Sequence, residues 1–316
     1  MNNSSIWTEK YRPSTFENFV GQKEIVRRVK ALVETKNIPH MMFAGPAGLG
    51  KTTLAIIVAK ILHQSSWRQN FLETNASDER GIQVIREKVK DFAKTMAIEA
   101  NSPKIILLDE ADALTKEAQQ ALRRTMETYS NSCRFIISCN YQNKLIDPIK
   151  SRCAIFRFKP LSREEIGEII QKVANNEGLK IDSKAVSILY EQSGGDVRQI
   201  YNTLQSCSAI SKNVDEDLLN SFVSKAEASE IKDVVSLALS KNFLEARNKM
   251  LSTILNNGLS GLDVVKQIQR EVLESQINDN KKLDIIEKCG EIEFRLVEGA
   301  NDFIQLEALL AFMANN

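Results

Sequence analysis

The chain has 316 residues, 43% hydrophobic and 26% charged, with a formal net charge of +1 at pH 7. That composition excludes disordered, collagen-like and fibrous proteins and leaves room for two or three globular domains. No stretch approaches the roughly 18 uninterrupted apolar residues of a membrane helix, and the opening MNNSSIWTEKYRP carries no secretory pattern, so an intracellular protein is expected.

Up to residue 160, short apolar runs alternate with helical patterns. The runs are MMFAG (41–45), FLET (71–74), IILLD (105–109), RFIISC (134–139) and AIFRF (154–158). This alternation predicts an α/β fold, a parallel sheet covered by helices. All six prolines lie at or before Pro160, which sets a boundary there. Directly after it, Ser162 and Glu165 have capping-box spacing and start a helix. Helices near 163–176, 184–192 and 196–210 form a small unit, and the polar stretch 211–229 carries a second boundary. Longer helices are expected near 230–255, 260–277, 280–297 and 302–313, with Leu262, Val265, Ile268, Val272 and Leu273 as a packing stripe. The expected domains are therefore 1–160, 161–227 and 228–316. Residues 1–227 carry a net charge of +5 and residues 228–316 one of −4, so a bound anion belongs in the first part. The five cysteines form no CxxC pair and accompany only two histidines, so buried thiols are expected and neither disulfides nor a zinc site.

Residues 45–53 read GPAGLGKTT, a phosphate-loop pattern after an apolar strand and before a helix. Gly45, Gly48 and Gly50, with Pro46, Ala47, Leu49 and Thr53 between and after them, form a loop whose N–H groups face phosphate oxygens. Lys51 is expected to reach the β- and γ-phosphates of ATP, and Thr52 to hold Mg²⁺. A second strand ends in acids, IILLDEAD, where Asp109 is expected to coordinate the same ion and Glu110 to orient the attacking water. Asn140 ends the next strand, within reach of the γ-phosphate. Charge developing on the phosphoryl oxygens calls for arginine, and Arg152 and Arg198 are the candidates; by pattern alone either is equally an ordinary surface ion pair. In IQVIREKVKDFAKTM, Arg86, Lys90 and Lys94 recur every four residues, preceded by Arg80. Such a stripe either tracks a nucleic-acid backbone or is a solvated face.

Eight segments together carry a resemblance: WTEKYRP (7–13), VGQ (20–22), GPAGLGKTT, NASDERGI (75–82), LLDEAD, LRRTME (122–127), SRC (151–153) and GGDVRQ (194–199). They resemble the small subunits of replication factor C, clamp loaders of the AAA+ ATPase class, along most of the chain. The resemblance implies an AAA+ domain, a helical lid and an all-α collar. It implies that Tyr11, Arg12 and Val20 line the adenine pocket and that Asn140 is the first sensor. Arg198 is then the second sensor, acting within its own subunit, and Arg152 the finger acting on a neighbour's ATP. Asn75 resembles the polar partner that restrains Glu110. Arg80, Arg86, Lys90 and Lys94 face DNA, whereas Arg123 and Arg124 face DNA or a subunit interface. The implied activity is ATP-dependent loading of a PCNA-type sliding clamp onto primer–template DNA. The implied partners are a large subunit and other small subunits, in a pentamer, within the cytoplasm of an archaeal cell or the nucleus of a eukaryotic one. Two rivals are a DNA-translocating AAA+ motor of the branch-migration type and a non-catalytic ATP-binding assembly subunit. Intact Lys51, Asp109 and Glu110 count against the second, and the helical C-terminal region without a winged-helix pattern counts against the first.

Overall fold

The computed structural model describes residues 6–36, 38–77, 85–97, 102–222 and 225–315, with the backbone alone for 85, 86, 220–222 and 225–229. The chain divides into two compact units, Met1–Leu219 and Asn220–Asn316.

The first unit begins with α1 (Trp7–Lys10), α2 (Lys23–Glu34), β1 (His40–Ala44), α3 (Lys51–His63) and β2 (Phe71–Asn75). It continues through α4 (Lys90–Lys94), β3 (Lys104–Asp109), α5 (Lys116–Thr128), β4 (Cys133–Cys139), α6 (Asp147–Lys150) and β5 (Cys153–Arg157). The strands form one parallel sheet in the order β2-β3-β4-β1-β5. Because successive side chains alternate between faces, each strand feeds two cores. Met41, Phe43, Ile105, Leu107 and Ile136 pack with Val29 and Val33 of α2 and Leu54, Ile57 and Val58 of α3. Met42, Ile106, Leu108, Phe135 and Ile137 pack on the other side with Leu122 and Met126 of α5. Each such fully buried side chain contributes about 1.5–3 kcal/mol relative to exposure, which is why the near-continuous apolar strand sequences settle in a covered sheet. The C-terminal ends of β1, β3 and β4 bring Gly45, Asp109 and Asn140 to one edge, where ligands of such sheets bind.

The helix expected to carry the basic stripe is not a regular α-helix throughout. Ile85–Val89 forms a π-helical turn that runs into α4. Its i→i+5 bonding is wider than that of the α-helix expected there, whereas Lys90 and Lys94 lie four apart within α4. Lys90 and Lys94 are exposed, and Lys94 pairs with Asp91 at 2.7 Å. Arg80 and the side chain of Arg86 lie outside the described residues.

The lid follows, with α7 (Arg163–Glu177), β6 (Lys180–Ile181), α8 (Ser183–Ser193), α9 (Val197–Ile210) and β7 (Asn213–Val214). Ser162 and Glu165 form the capping box that opens α7: Glu165 N–H donates to Ser162 Oγ at 3.3 Å and Ser162 N–H to Glu165 Oε2 at 2.9 Å. Asp182 and Asp196 cap α8 and α9. Leu161, Ile166, Ile170, Leu189, Ile200 and Leu204 build the core of the lid, and Trp7 of α1 is part of it. Phe16, nine residues further on, belongs instead to the sheet core. On the sheet side of Leu161, Gln22 clasps the backbone of Lys159: its Nε2 donates to the Lys159 carbonyl at 2.5 Å, and Lys159 N–H donates to Gln22 Oε1 at 3.2 Å.

A further helix, α10 (Glu216–Phe222), lies in the stretch expected to be a polar boundary. In the second unit, α11 (Lys225–Leu239), α12 (Phe243–Asn257), α13 (Gly261–Glu274), α14 (Asp279–Val297) and α15 (Asp302–Asn315) share one apolar core. The single helix expected over 230–255 is two. The chain turns at Lys241, whose φ of 64° is left-handed, and Asn242 N–H bonds back to the Leu237 carbonyl at 3.0 Å. The packing stripe of α13 is Val264, Val265, Ile268 and Val272, with Leu262 partly buried, whereas Leu273 is 53% exposed.

Candidate active site

The loop of residues 45–50 joins β1 to α3, with glycine at each of its positions of positive φ. Gly50 is left-handed (φ +88°), and a Cβ there would lie 2.7 Å from the Phe19 ring. The loop turns the start of α3 toward the sheet edge, so Lys51, its first residue, is 7% exposed. Lys51 Nζ donates to the carbonyls of Gly45 (2.6 Å) and Pro46 (2.7 Å) and to Asn140 Oδ1 (2.9 Å). Burial pushes its pKa down; the nearby Asp109 and Asp112 oppose this, and the Arg198 guanidinium adds to it. Arg198 of the lid is thus felt electrostatically at Lys51.

Beside Lys51, Thr52 Oγ1 donates to Asp109 Oδ2 at 2.5 Å, while Glu110 N–H donates to Asp109 Oδ1 at 3.0 Å. Glu110 is exposed and left-handed at φ 52°, a conformation that is costly for a residue with a Cβ and is concentrated at functional sites. Asp112 accepts from the N–H groups of Asn140 and Tyr141, both at 3.2 Å, and so fixes the turn after β4.

These groups open onto a cavity of about 500 Å³. Ala47, Gly48, Leu49, Gly50, Lys51, Thr52 and Thr53 line it together with Asp109, Glu110 and Asn140. Tyr11, Arg12 and Val20 line it as well, as does Arg198 of the lid. Tyr11 rests on the Tyr201 ring at 5.8 Å, and its hydroxyl donates to Glu177, whose other donor is Lys10 Nζ at 2.5 Å. Burial raises the Tyr11 pKa, helped by the Glu177 carboxylate, and pushes Tyr201 up to about 12, so both stay neutral phenols. Arg12 pairs with Glu9.

Arg152 does not line this cavity. It follows α6, donates to the Pro148 carbonyl at 2.8 Å and pairs with Glu127 of α5, which also lies 3.9 Å from Arg123. Asn75, at the end of β2, accepts at Oδ1 from both the N–H and the hydroxyl of Ser77 at 3.0 Å. Among the cavity residues that the sequence reading did not single out are Glu73, Ser138, Lys172 and Tyr201. Ser138 is fully buried, and its hydroxyl finds no hydrogen-bond partner among the described residues. Glu73 shares the strand parity of Asn75 in FLETN, the one hint available beforehand.

Comparison with known proteins bears on this geometry. The family model described as "ATPase family associated with various cellular activities (AAA)" matches residues 41–161. "RFC1-like, AAA+ ATPase lid domain" matches 163–220, and "Replication factor C C-terminal domain" matches 226–312. The chain is 49% identical over 314 residues to the replication factor C small subunit of Archaeoglobus fulgidus, covering 99% of this chain and 98% of the relative. It belongs to the replication factor C small-subunit family. The small subunit of Methanococcus vannielii is 48% identical over 307 residues, with 97% and 98% covered, and that of Thermofilum pendens 46% identical over 312, with 98% and 96% covered. Among solved structures, the Thermotoga maritima RuvB Holliday junction branch migration motor matches with a TM-score of 0.57 at 19% identity, over 72% of this chain and 80% of that one, a likeness of fold. This member of the family is a nucleotide-binding AAA-type ATPase. Among the described residues no helix is long and apolar enough to cross a membrane.

Proposed function

We propose that this chain is the ATP-hydrolysing small subunit of a clamp loader, with an ATPase domain over 1–160, a lid over 161–227 and a collar over 228–316. The observation that carries the reading is the convergence of Lys51, Asp109, Glu110, Asn140 and the lid residue Arg198 on one cavity. Lys51 is in place to hold the β- and γ-phosphates, and its buried charge acts with little solvent screening. Thr52 and Asp109, already joined through hard oxygen donors, fit Mg²⁺, which when bound neutralises phosphate charge and polarises the phosphoryl group. Glu110, free of the sheet and projecting at its edge, orients the attacking water and takes up its proton. Asn140, held by Lys51 and Asp112, marks the γ-phosphate end, and Arg198 senses the same group from the lid. The aromatic end around Tyr11 and Val20 receives the base.

Arg152, outside its own subunit's cavity and tethered at Glu127, acts on ATP held by a neighbour, so the working form is an oligomer. We read it as a pentamer with a large subunit and other small subunits, in the cytoplasm beside the nucleoid. ATP binding closes that assembly around an opened PCNA-type sliding clamp, primer–template DNA enters along a surface that includes Lys90 and Lys94, and hydrolysis releases the loaded clamp. The test is the ATPase rate of the assembled loader with clamp and primed DNA, separately and together. Marked stimulation by both together supports loading; unidirectional translocation or strand displacement without a clamp requirement overturns it in favour of a motor.

A further inference from the structure

Ser138 interrupts an apolar run. In β4 it follows Phe135, Ile136 and Ile137 and precedes Cys139, all of them buried, and it is itself fully buried. A hydroxyl taken out of water is destabilising unless it finds a hydrogen-bond partner, and Ser138 Oγ has none among the described residues. Other buried polar atoms share that condition, His63 Nδ1 and Thr74 Oγ1 among them, but those residues do not line the cavity and Ser138 does. Strand register gives its neighbours there. Leu107 and Leu108 of β3 lie beside Ile136 and Ile137 of β4, so one step further along Asp109 lies beside Ser138. Side chains two apart share a face of the sheet. Leu107 and Ile136 pack in the core that Leu54, Ile57 and Val58 of α3 complete, which puts Asp109 and Ser138 on the α3 side as well. From that side Thr52 Oγ1 donates to Asp109 Oδ2.

We propose that Ser138 is a positioning residue for the Mg²⁺ site, its hydroxyl donating to the Asp109 carboxylate and accepting from a water of the ion's hydration shell. Thr52 and Asp109 supply too few oxygens to surround an octahedral ion, and Mg²⁺ gives up its waters reluctantly, so waters with protons to donate accompany it into the cavity. A carboxylate that already accepts from Thr52 Oγ1 and from Glu110 N–H retains lone pairs for a further donor. The groups that hydrogen-bond a metal's ligands fix their orientation and so its affinity. A hydroxyl is donor and acceptor at once and serves both neighbours. Alanine in its place would suit the ion-free fold better and the ion worse. This rests on the proposed reading of Thr52 and Asp109.

The test is calorimetric binding of a non-hydrolysable ATP analogue to the full-length chain, in saturating Mg²⁺ and again in EDTA, comparing the wild type with Ser138→Ala and Ser138→Cys. In EDTA the three chains should bind alike. In Mg²⁺ both variants should lose about tenfold in affinity, the effect typical of removing a group that orients a metal's ligands. The thermal midpoint of the nucleotide-free Ser138→Ala chain should stay level or rise, because a buried hydroxyl without a partner has gone. Cysteine fills the space of serine with a much weaker donor and acceptor, so Ser138→Cys binding that matches wild type in Mg²⁺ overturns the inference in favour of packing. Equal losses in Mg²⁺ and in EDTA, or a Ser138→Ala chain that keeps the whole Mg²⁺-dependent gain, overturn it as well. A wild-type affinity that does not respond to Mg²⁺ overturns the reading of Thr52 and Asp109 beneath it.

Discussion

Lys51 Nζ and Asn140 Oδ1, 89 residues apart in sequence, are joined by a 2.9 Å hydrogen bond that ties the start of α3 to the end of β4. Lys51 keeps two carbonyl acceptors when Asn140 is removed, whereas nothing replaces the lysine charge. Asn140→Ala should therefore bind ATP within about threefold of wild type yet hydrolyse it about 10²-fold more slowly, as expected for a donor aimed at developing charge. Lys51→Ala should lose measurable binding. Equilibrium binding and single-turnover hydrolysis, measured on both variants, separate the two effects.

Glu110 combines a reactive side chain with an unfavourable backbone. Glu110→Gln should still bind ATP and trap a loader–clamp–DNA complex, with turnover reduced by at least about 10²-fold. Glu110→Gly should be equally inactive, yet its thermal midpoint should rise by about 1–3 °C, because glycine accepts φ 52° without the Cβ clash. A fall in midpoint would show that the Glu110 side chain stabilises the turn.

For Arg152, the ion pair with Glu127 is half-exposed, with 36% and 40% of the two side chains accessible. Such a pair contributes at most about 1 kcal/mol, so Arg152→Ala should barely change stability or ATP binding by the isolated chain. Hydrolysis in the assembled oligomer should fall by about 10³-fold. Mixing Arg152→Ala with Glu110→Gln subunits should restore part of the rate, since some interfaces then combine an intact finger with an intact carboxylate. No recovery in verified mixed oligomers would place Arg152 in its own subunit's site.

His40 gives the ATPase unit an acid-sensitive joint. Its Nδ1 accepts from Phe135 N–H at 3.0 Å and so must be unprotonated. Burial, then the Arg134 charge, holds its pKa down at about 4 against a hydrogen bond to Met126. A histidine neutral in the folded state and ordinary in the unfolded one binds more protons when unfolded, so stability is full above about pH 6.5 and declines as pH falls toward 4. The loss amounts to about 3 kcal/mol by pH 4. His40→Asn, which retains an acceptor for Phe135, should flatten that part of the acid limb in urea titrations at pH 7, 5.5 and 4.5.

The legible features were those with a local chemical reason. The five strands stood out because a sheet covered on both faces needs continuous apolar runs, the phosphate loop because only glycine fits its turns, and the start of α7 because Ser162 and Glu165 satisfy each other's N–H groups. What escaped depends on partners distant in sequence or on conformations without a marker residue. The break at Lys241 uses neither glycine nor proline. The pairing of β6 with β7, two residues each, joins segments more than 30 positions apart. Tyr201 and Ser138 face the cavity only because the lid and sheet fold to bring them there. At Ile85–Val89 the sequence reads as an α-helix, whereas the backbone takes a π-helical turn that no residue there marks.

The packing of Trp7 within the lid core constrains how the lid moves. Since α1 is anchored to the lid while Phe16 is anchored to the sheet, the chain crosses between the two bodies once over residues 12–15. It crosses a second time between Lys159, clasped by Gln22, and Leu161, buried in the lid. Each crossing contains a proline, Pro13 and Pro160, whose ring locks φ near −65° and removes half of the local rotational freedom. A swing of Arg198 toward or away from the phosphate loop would load these two stiffened crossings, which would then act as the two pins of a door.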